Sequence, residues 1–387
     1  MLNIYIYRVI YAKCSFIKGQ EVIEVPKSDS RFNLGRLSID INSKMSKKRV
    51  RNDEKKAGPT TVAYLGGNHS FTHMAAVDFF DTQEDEFNIV SGGNLRNVFD
   101  SVRAGDVGYG VVPIESSTSG TLQAVLDLLL VHNGSVEIVG ESRKQEQNAL
   151  VSEAAFEIDI GRVLAHPAIL DACADYLNSM DKKREEAGRS AIIRIPSIDS
   201  STACATVAAE HAEPSLIADG NVAAAIANQE CAQSNKLGVI HDHIGSDVNS
   251  ETRYIVIAKA GDGGVGNHTL FHQQSTKKAS LILVANNEAG SLMKWSSCFA
   301  MRNVNILKVE SRPAATAMHL NKKANIHLRH FDLIFHIDYE ISTDDKKDAA
   351  LIENLKEFTS FLKVTGRYNG ASAHAVEASP LLSTLLY

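Results

Sequence analysis

Small hydroxyl residues recur in this 387-residue chain at one kind of place, the turn between an apolar strand-like run and an apolar helix-like run. Gly66-Gly67-Asn68-His69-Ser70 precedes one helical pattern. Glu115-Ser116-Ser117-Thr118-Ser119-Gly120 precedes a second, and Asp199-Ser200-Ser201-Thr202 a third. Ser and Thr at such positions cap helices, which is their plainest reading. Helix N-termini also carry unpaired N–H donors and the positive end of the helix dipole, so they bind carboxylates and phosphates. His166-Pro167 opens a further helix, with the proline suited to a first helical position. A different setting holds Thr252-Arg253, at the mouth of the β-branched run Tyr254-Ile255-Val256-Ile257. These two residues are either a strand opening with one hydroxyl and one solvated Arg, or a rigidly held donor pair facing a cleft. In open α/β sheets such turns collect at the carboxyl edge of the strands, where ligands bind. Together they describe a cleft for a small polyanion.

The sequence lacks the phosphate loop G-x-x-x-x-G-K-[ST], and Gly105-Asp106-Val107-Gly108-Tyr109-Gly110 precedes a strand and not a helix. A nucleotide is therefore not the expected ligand; a small carboxylated metabolite is.

The elements that must position these residues alternate. Strands are expected at Thr61–Leu65, Tyr109–Ile114, Arg162–Leu164, Ile192–Ile195 and Ser215–Ala218. Helices are expected over Phe71–Phe80, Val98–Arg103, Thr121–Leu130, Ala168–Leu177, Ala203–His211 and Val222–Cys231. Such alternation with short connections implies a parallel α/β sheet. After the Gly-rich stretch 261–266, which has linker composition, a second pattern follows. It reads as strand Ala279–Ala285, helix Ala289–Arg302, strands Val304–Ser311 and Phe331–Tyr339, helix Lys346–Leu362 and strand Val364–Tyr368. That is a βαββαβ, ferredoxin-like unit.

Composition limits the alternatives. Hydrophobic residues at 44% and charged residues at 22% describe a soluble globular chain, and a net charge of −6 argues against nucleic acid. No run approaches the roughly 18 apolar residues of a membrane span. The five cysteines are scattered without a C-x-x-C pair, so neither a disulfide framework nor a zinc site is expected and a reducing, cytoplasmic setting is the simplest one. Residues 1–58 differ from the rest, with three basic and no acidic residues in the first twenty and the charge run Lys44–Lys56. They read as a solvated tail, or alternatively as an organellar, plastid-type targeting or nucleic-acid segment.

Several stretches, in order, resemble the prephenate dehydratase family with its ACT regulatory domain. Tyr64-Leu65-Gly66 with Ser70-Phe71-Thr72-His73 is similar to the family's opening motif. Val111-Val112-Pro113-Ile114-Glu115-Ser116-Ser117 is similar to its PIENS-type motif, His166-Pro167 to its His-Pro turn, Ser201-Thr202-Ala203 to its Ser-Thr-Ala helix start and Thr252-Arg253-Tyr254 to its Thr-Arg-Phe motif. Glu310-Ser311-Arg312-Pro313 matches the ESRP motif of the ACT domain. The chain departs from the pattern at Ser116 in place of Asn, at Ala168 in place of Gln, and at Gln145-Glu146-Gln147-Asn148, where the family carries a His-containing segment.

The resemblance implies a two-lobed α/β catalytic domain like type II periplasmic binding proteins over 59–260, a linker over 261–276, a ferredoxin-like βαββαβ ACT domain over 277–370 and a tail over 371–387. It implies conversion of prephenate to phenylpyruvate without cofactor or metal, under feedback by phenylalanine. Arogenate dehydration to phenylalanine and a non-catalytic metabolite sensor stand as alternatives. Thr252 is then the donor to the leaving hydroxyl, with His166 and Glu115 as relay or orienting groups. Ser117, Ser201, Thr202 and Arg253 become carboxylate partners, although Arg253 fits a structural salt bridge equally. Gly290, Ser291 and Leu292 with Glu310, Ser311 and Arg312 become the phenylalanine site, and pairing of ACT domains implies a homodimer or homotetramer.

Overall fold

A computed structural model describes residues 60–80, 86–212, 221–245, 247, 249–261, 277–314, 328–341 and 345–371. The expectations for residues 1–58, for the strand Ser215–Ala218, for the linker beyond Gly261 and for the tail beyond Ala371 lie outside the described residues.

The first lobe is built on β1 (Thr60–Tyr64), β2 (Phe87–Ser91) and β3 (Tyr109–Ser116), which run parallel in the order β2-β1-β3. Helix α1 (Phe71–Phe80) packs on one face of this sheet. Phe71, Ala75, Ala76 and Phe80 meet Val62, Tyr64, Tyr109 and Val111 there. Helices α2 (Leu95–Ala104) and α3 (Gln123–Val131) cover the other face through Val98, Phe99, Val102, Val125 and Leu126. Each such side chain taken from water contributes about 1.5–3 kcal/mol. The ends of α2 follow from local chemistry. Asn94 accepts from the Asn97 N–H at 2.9 Å, and Gly105, at φ +83°, turns its N–H back onto the carbonyls of Ser101 and Val102.

From this lobe the chain runs out along β5 (Val136–Gln145), past the two-residue strand β4 (Gly120–Thr121) that pairs with β3, and into a second lobe. There a five-stranded sheet has the order β10-β6-β9-β7-β8, formed by β6 (Ala149–Ser152), β7 (Ile160–Ala165), β8 (Ile193–Pro196), β9 (Val222–Ala227) and β10 (Gly238–His241). Around it lie α4 (Pro167–Ala172), α5 (Ala174–Glu186), α6 (Ser200–His211) and α7 (Gln229–Ser234). The chain returns to the first lobe through β11 (Glu251–Lys259), which lies antiparallel between β3 and β5.

Two expectations are corrected here. The sheets are mixed, because the strands on which the chain enters the second lobe and re-enters the first, β6 and β11, run antiparallel to the parallel cores. The segment Val222–Ala227, read as helix, is strand β9, almost wholly buried between β6 and β7. A short run of alanines with high helix propensity is overruled by a central position that only an extended segment can fill.

The remaining unit comprises β12 (Lys277–Ala285), α8 (Ser291–Ala300), β13 (Ile306–Pro313), β14 (Leu333–Glu340), α9 (Asp345–Glu357) and β15 (Thr359–Asn369). Its antiparallel order β13-β14-β12-β15 is that of a ferredoxin-like βαββαβ fold. One face packs on α8 and α9 through Leu281, Leu283, Phe335, Ile337, Trp295 and Leu351. The other, through Ile282, Val284 and Ile334, joins the core beneath α2 and α3. A pairing of Gly366 with Ile138 connects β15 to β5, so both sheets form one ten-stranded sheet.

Candidate active site

A cavity of about 320 Å³ lies between the two lobes. Its walls include the N-terminal ends of helices from both sides: Ser70 and Phe71 of α1, Asn94 and Leu95 of α2, Leu122 ahead of α3, His166 ahead of α4, and Asp199 and Ser200 of α6. The polar turns seen in the sequence do converge. Asp199 holds the lobes together here, accepting from the Gly67 N–H at 3.0 Å on one side and capping α6 through the Thr202 N–H at 2.7 Å on the other. Asn228 adds a second bridge by donating to the His69 carbonyl at 2.8 Å.

Thr252 faces this cavity from the first turn of β11 and is 3% exposed. It stands directly opposite Ser116 of β3, so the two hydroxyls share a sheet face. Ser116 in turn exchanges a 3.0 Å hydrogen bond with Thr118. Next to Thr252 lies Glu146, in the segment between β5 and β6. Its N–H donates to the Ser250 carbonyl at 2.8 Å, which ties the outgoing crossing between lobes to the returning one. Its carboxyl accepts from the Tyr254 hydroxyl at 3.4 Å and lies next to the Thr252 hydroxyl. Burial pushes the Glu146 carboxyl above the usual range, against the lowering effect of those two donors. Asn148, two residues on, is buried with its Oδ1 unpaired and lines the same cavity. Among the described residues that line it there is no Lys or Arg. The walls are otherwise apolar, with Leu65, Phe71, Pro113, Ile169, Ile198 and Tyr254 facing in. Such a site can hold a compact ring, offer donors to carboxylates from backbone and hydroxyl groups, and place a hydroxyl with a carboxyl behind it next to a reacting atom.

The family model described as prephenate dehydratase matches residues 62–262, just over half of the chain. The chain belongs to the prephenate dehydratase family. It is 30% identical over 311 residues to "Arogenate dehydratase/prephenate dehydratase 2, chloroplastic" of Arabidopsis thaliana, covering 79% of this chain and 72% of that one. It is 27% identical over 307 residues to the bifunctional chorismate mutase/prephenate dehydratase of Aquifex aeolicus, covering 79% and 73%. Among solved structures, a prephenate dehydratase from Arthrobacter aurescens in complex with L-Phe superposes with a TM-score of 0.61 at 22% identity, over 80% of this chain and 89% of that one.

Within this prephenate dehydratase fold the residues singled out from sequence separate into groups. Thr252 and His166 reach the cavity, His166 as the N-cap of α4 with its Nδ1 accepting from the Ala168 N–H at 3.3 Å. Glu115, expected as a relay group, is corrected, and Arg253 takes the salt-bridge side of its two readings. The pairing of β3 with β11 slips at Ile114, so that Arg253 lies opposite Glu115 and Tyr254 opposite Pro113. This bulge reverses the alternation of β3, sending Glu115 to the far face of the sheet while Ser116 turns to the cavity; Arg253 faces the far side by ordinary alternation between Thr252 and Tyr254. There Arg253 pairs with Glu115 and Glu141 at 3.0 Å and with Asp338 at 2.7 Å, and Lys308 holds Glu115 at 2.7 Å. Ser117 is spent on backbone, accepting from the Glu251 N–H at 3.0 Å. Ser201 backs onto Gly67 and Thr202 is exposed on the first turn of α6; neither lines the cavity, whereas Ser200 does.

The six residues expected at a phenylalanine site fall on two faces of one sheet. Gly290, at φ +77°, is the N-cap of α8; Ser291 follows with a buried, unpaired Oγ, and Leu292 is exposed. Ser311 pairs with Phe335 and so shares the α8 face. Glu310 and Arg312 pair with His336 and Ile334 on the opposite face. They are bonded there to the catalytic lobe, Glu310 to Thr121 and Gln123 at 3.0 Å each and Arg312 to Asp127 at 2.9 Å.

Glu146, Asn148 and Asp199 are the site residues that sequence reasoning missed. The first two lie in the segment noted only as a departure from the family pattern. The third was read as the edge of a capping turn. Pro113 was the one available signal for the bulge, since proline in a central strand is confined to such irregularities.

Proposed function

We propose that this chain catalyses the decarboxylating dehydration of prephenate or its amino counterpart arogenate, a step of phenylalanine biosynthesis. The observation that carries the reading is Thr252, a buried residue lining the cavity between the lobes among several helix N-termini. The substrate ring must lose its hydroxyl as water and a carboxyl group as carbon dioxide, and aromatisation supplies the driving force. Helix N-termini with Thr72, Ser200 and Asn94 can hold the carboxylates. Thr252 gives the departing hydroxyl a preorganised hydrogen bond. The decisive experiment is Thr252→Ala assayed on both substrates: turnover should fall at least about 100-fold with binding kept, and full turnover would end this reading.

Between the two substrates the cavity favours arogenate. Its Asp199 carboxylate and the unpaired Asn148 Oδ1 are acceptors suited to an ammonium group, and among the described residues the lining has no Lys or Arg to balance a second carboxylate beside a ketone. Asp199→Asn should lower kcat/KM for arogenate about tenfold more than for prephenate; an equal loss on both would assign Asp199 a purely structural role.

Regulation by phenylalanine is proposed for the ferredoxin-like unit, with Gly290, Ser291, Leu292 and Ser311 on one face as its contacts. The exposed Leu307 and Val309 of the edge strand β13 suit pairing with a second copy. Isothermal titration of phenylalanine into wild type and Ser291→Ala, with the oligomer followed by light scattering, tests both points; unchanged affinity would remove Ser291 from the site. The chloroplastic relative favours a plastid destination for the N-terminal segment. A fusion of residues 1–58 to a fluorescent protein that stayed in the cytosol would decide against it.

A further inference from the structure

We infer that Glu146 is the proton source behind Thr252, a carboxyl group in the hinge that reloads the threonine hydroxyl as it yields its proton to the departing ring hydroxyl. This rests on the dehydratase reading and supplies what that reading lacks, since a threonine hydroxyl is by itself far too weak an acid to deliver a proton.

Three observations place Glu146 in this role. It is fixed to the strand mouth that carries Thr252 through its own N–H on the Ser250 carbonyl. Its carboxyl lines the cavity beside the Thr252 hydroxyl, and Tyr254 donates to Oε1 from a fully buried position. No Lys or Arg among the described residues is paired to it. The nearby cations are committed elsewhere, Lys144 to Asp78 and Arg253 to the network on the far face of the sheet. The other titratable groups facing the cavity are Tyr254 on β11, His166 ahead of α4 and Asp199 ahead of α6. In this setting burial favours the protonated acid, which can donate to Thr252 Oγ1 while the Thr252 hydroxyl donates onward.

The step balances. The ring C–O bond breaks and its oxygen takes the Thr252 proton to leave as water. Thr252 Oγ1 takes the Glu146 proton, leaving a carboxylate. The electron pair of the bond to the departing carboxylate becomes the third ring double bond, and carbon dioxide is released. One proton is consumed per turnover and Glu146 recovers it from solvent.

The test compares wild type, Glu146→Gln, Glu146→Asp and Thr252→Ala in kcat and KM against pH, on arogenate and prephenate. For wild type, kcat should fall as pH rises through the ionisation of Glu146. Glu146→Gln should lower kcat by about 100- to 1,000-fold with KM little changed, abolish that alkaline limb, and be partly rescued by Glu146→Asp. A Glu146→Gln enzyme within about threefold of wild-type kcat, or with the alkaline limb intact, overturns the proposal. A readout independent of turnover is the infrared carboxylic-acid band. It should persist in wild type above the usual carboxylate range near pH 4.3 and be missing in Glu146→Gln; its absence from wild type also overturns the proposal. Turnover lost in Thr252→Ala but kept in Glu146→Gln removes only the relay. No turnover by wild type on either substrate removes the dehydratase reading and the relay with it.

Discussion

At the scale of single residues, the proposed chemistry rests on one hydroxyl and one carboxyl, both held in a largely buried setting. Thr252 is nearly sealed from water, so its hydrogen bond acts where few water dipoles compete, and β-branching fixes its rotamer on the strand. Thr252→Ser keeps the hydroxyl and loosens the rotamer. It should retain turnover within about tenfold, where the alanine variant loses about 100-fold or more, as steady-state kinetics would show. Glu146 makes a separate prediction about stability. Its folded pKa is raised by burial, so the native state binds its proton more tightly than the unfolded chain does. Between the unfolded value near 4.3 and the raised folded value, stability therefore declines as pH increases. Glu146→Gln should melt higher than wild type at pH 7 and match it near pH 4 in calorimetric scans, the usual direction when a functional group is held at a cost to stability. Of this pair only Thr252 was legible in the sequence, because it opens a recognisable β-branched strand. Glu146 gains meaning from the Ser250 carbonyl and the Tyr254 hydroxyl, more than a hundred positions away along the chain, a proximity that no local pattern encodes.

At the scale of elements, the sequence announced most of the parts and few of their orientations. Helix α1 lies at the expected Phe71–Phe80, and α2 ends at the expected Gly105, because caps and apolar periodicity are local properties. Strand β9 was misread because alanine-rich runs satisfy both geometries until a sheet claims them. The bulge at Ile114 decided more than any boundary did. One extra residue sends Glu115 to ion pairs on the far face and delivers Ser116 to the cavity. The turn before α1 makes a testable element of its own. A Cβ added at Gly67 would lie 2.7 Å from Ser201 Oγ and 2.9 Å from its Cβ, across the closed lobes. Gly67→Ala should therefore hold the lobes slightly apart, raising KM for either substrate about tenfold while global stability changes by less than about 1 kcal/mol. Progress curves combined with urea unfolding would separate these two effects.

At the scale of the whole molecule, the ferredoxin-like unit is joined to the catalytic sheet through buried charge, in a network that begins one residue from Thr252. The Glu141 side chain is fully buried and accepts from Arg253 at 3.0 Å and from Lys278 at 2.8 Å. Removing it leaves two cations in the interior without that partner, so Glu141→Leu should cost about 3–5 kcal/mol in urea unfolding. Arg143, one-third exposed and 3.7 Å from the same carboxylate, should lose less than about 1 kcal/mol on change to Lys. His336 on β14 lies on the same inter-unit face, with Asp338, Asp127, Arg312 and Glu310 around it, and its Nε2 is buried and unpaired. Burial pushes its imidazole down to about 4, outweighing the neighbouring carboxylates. The unfolded chain takes up this proton near pH 6.5 and the native state only near 4, so the unfolded state binds more protons over that window and stability falls as pH is lowered through it. His336→Leu, which keeps the volume and removes the titration, should flatten the loss between pH 6.5 and 4.5 in urea midpoints, while the losses due to carboxylates remain. If wild type and His336→Leu lose stability in parallel across that range, the imidazole is not the group that makes the junction between the units acid-sensitive.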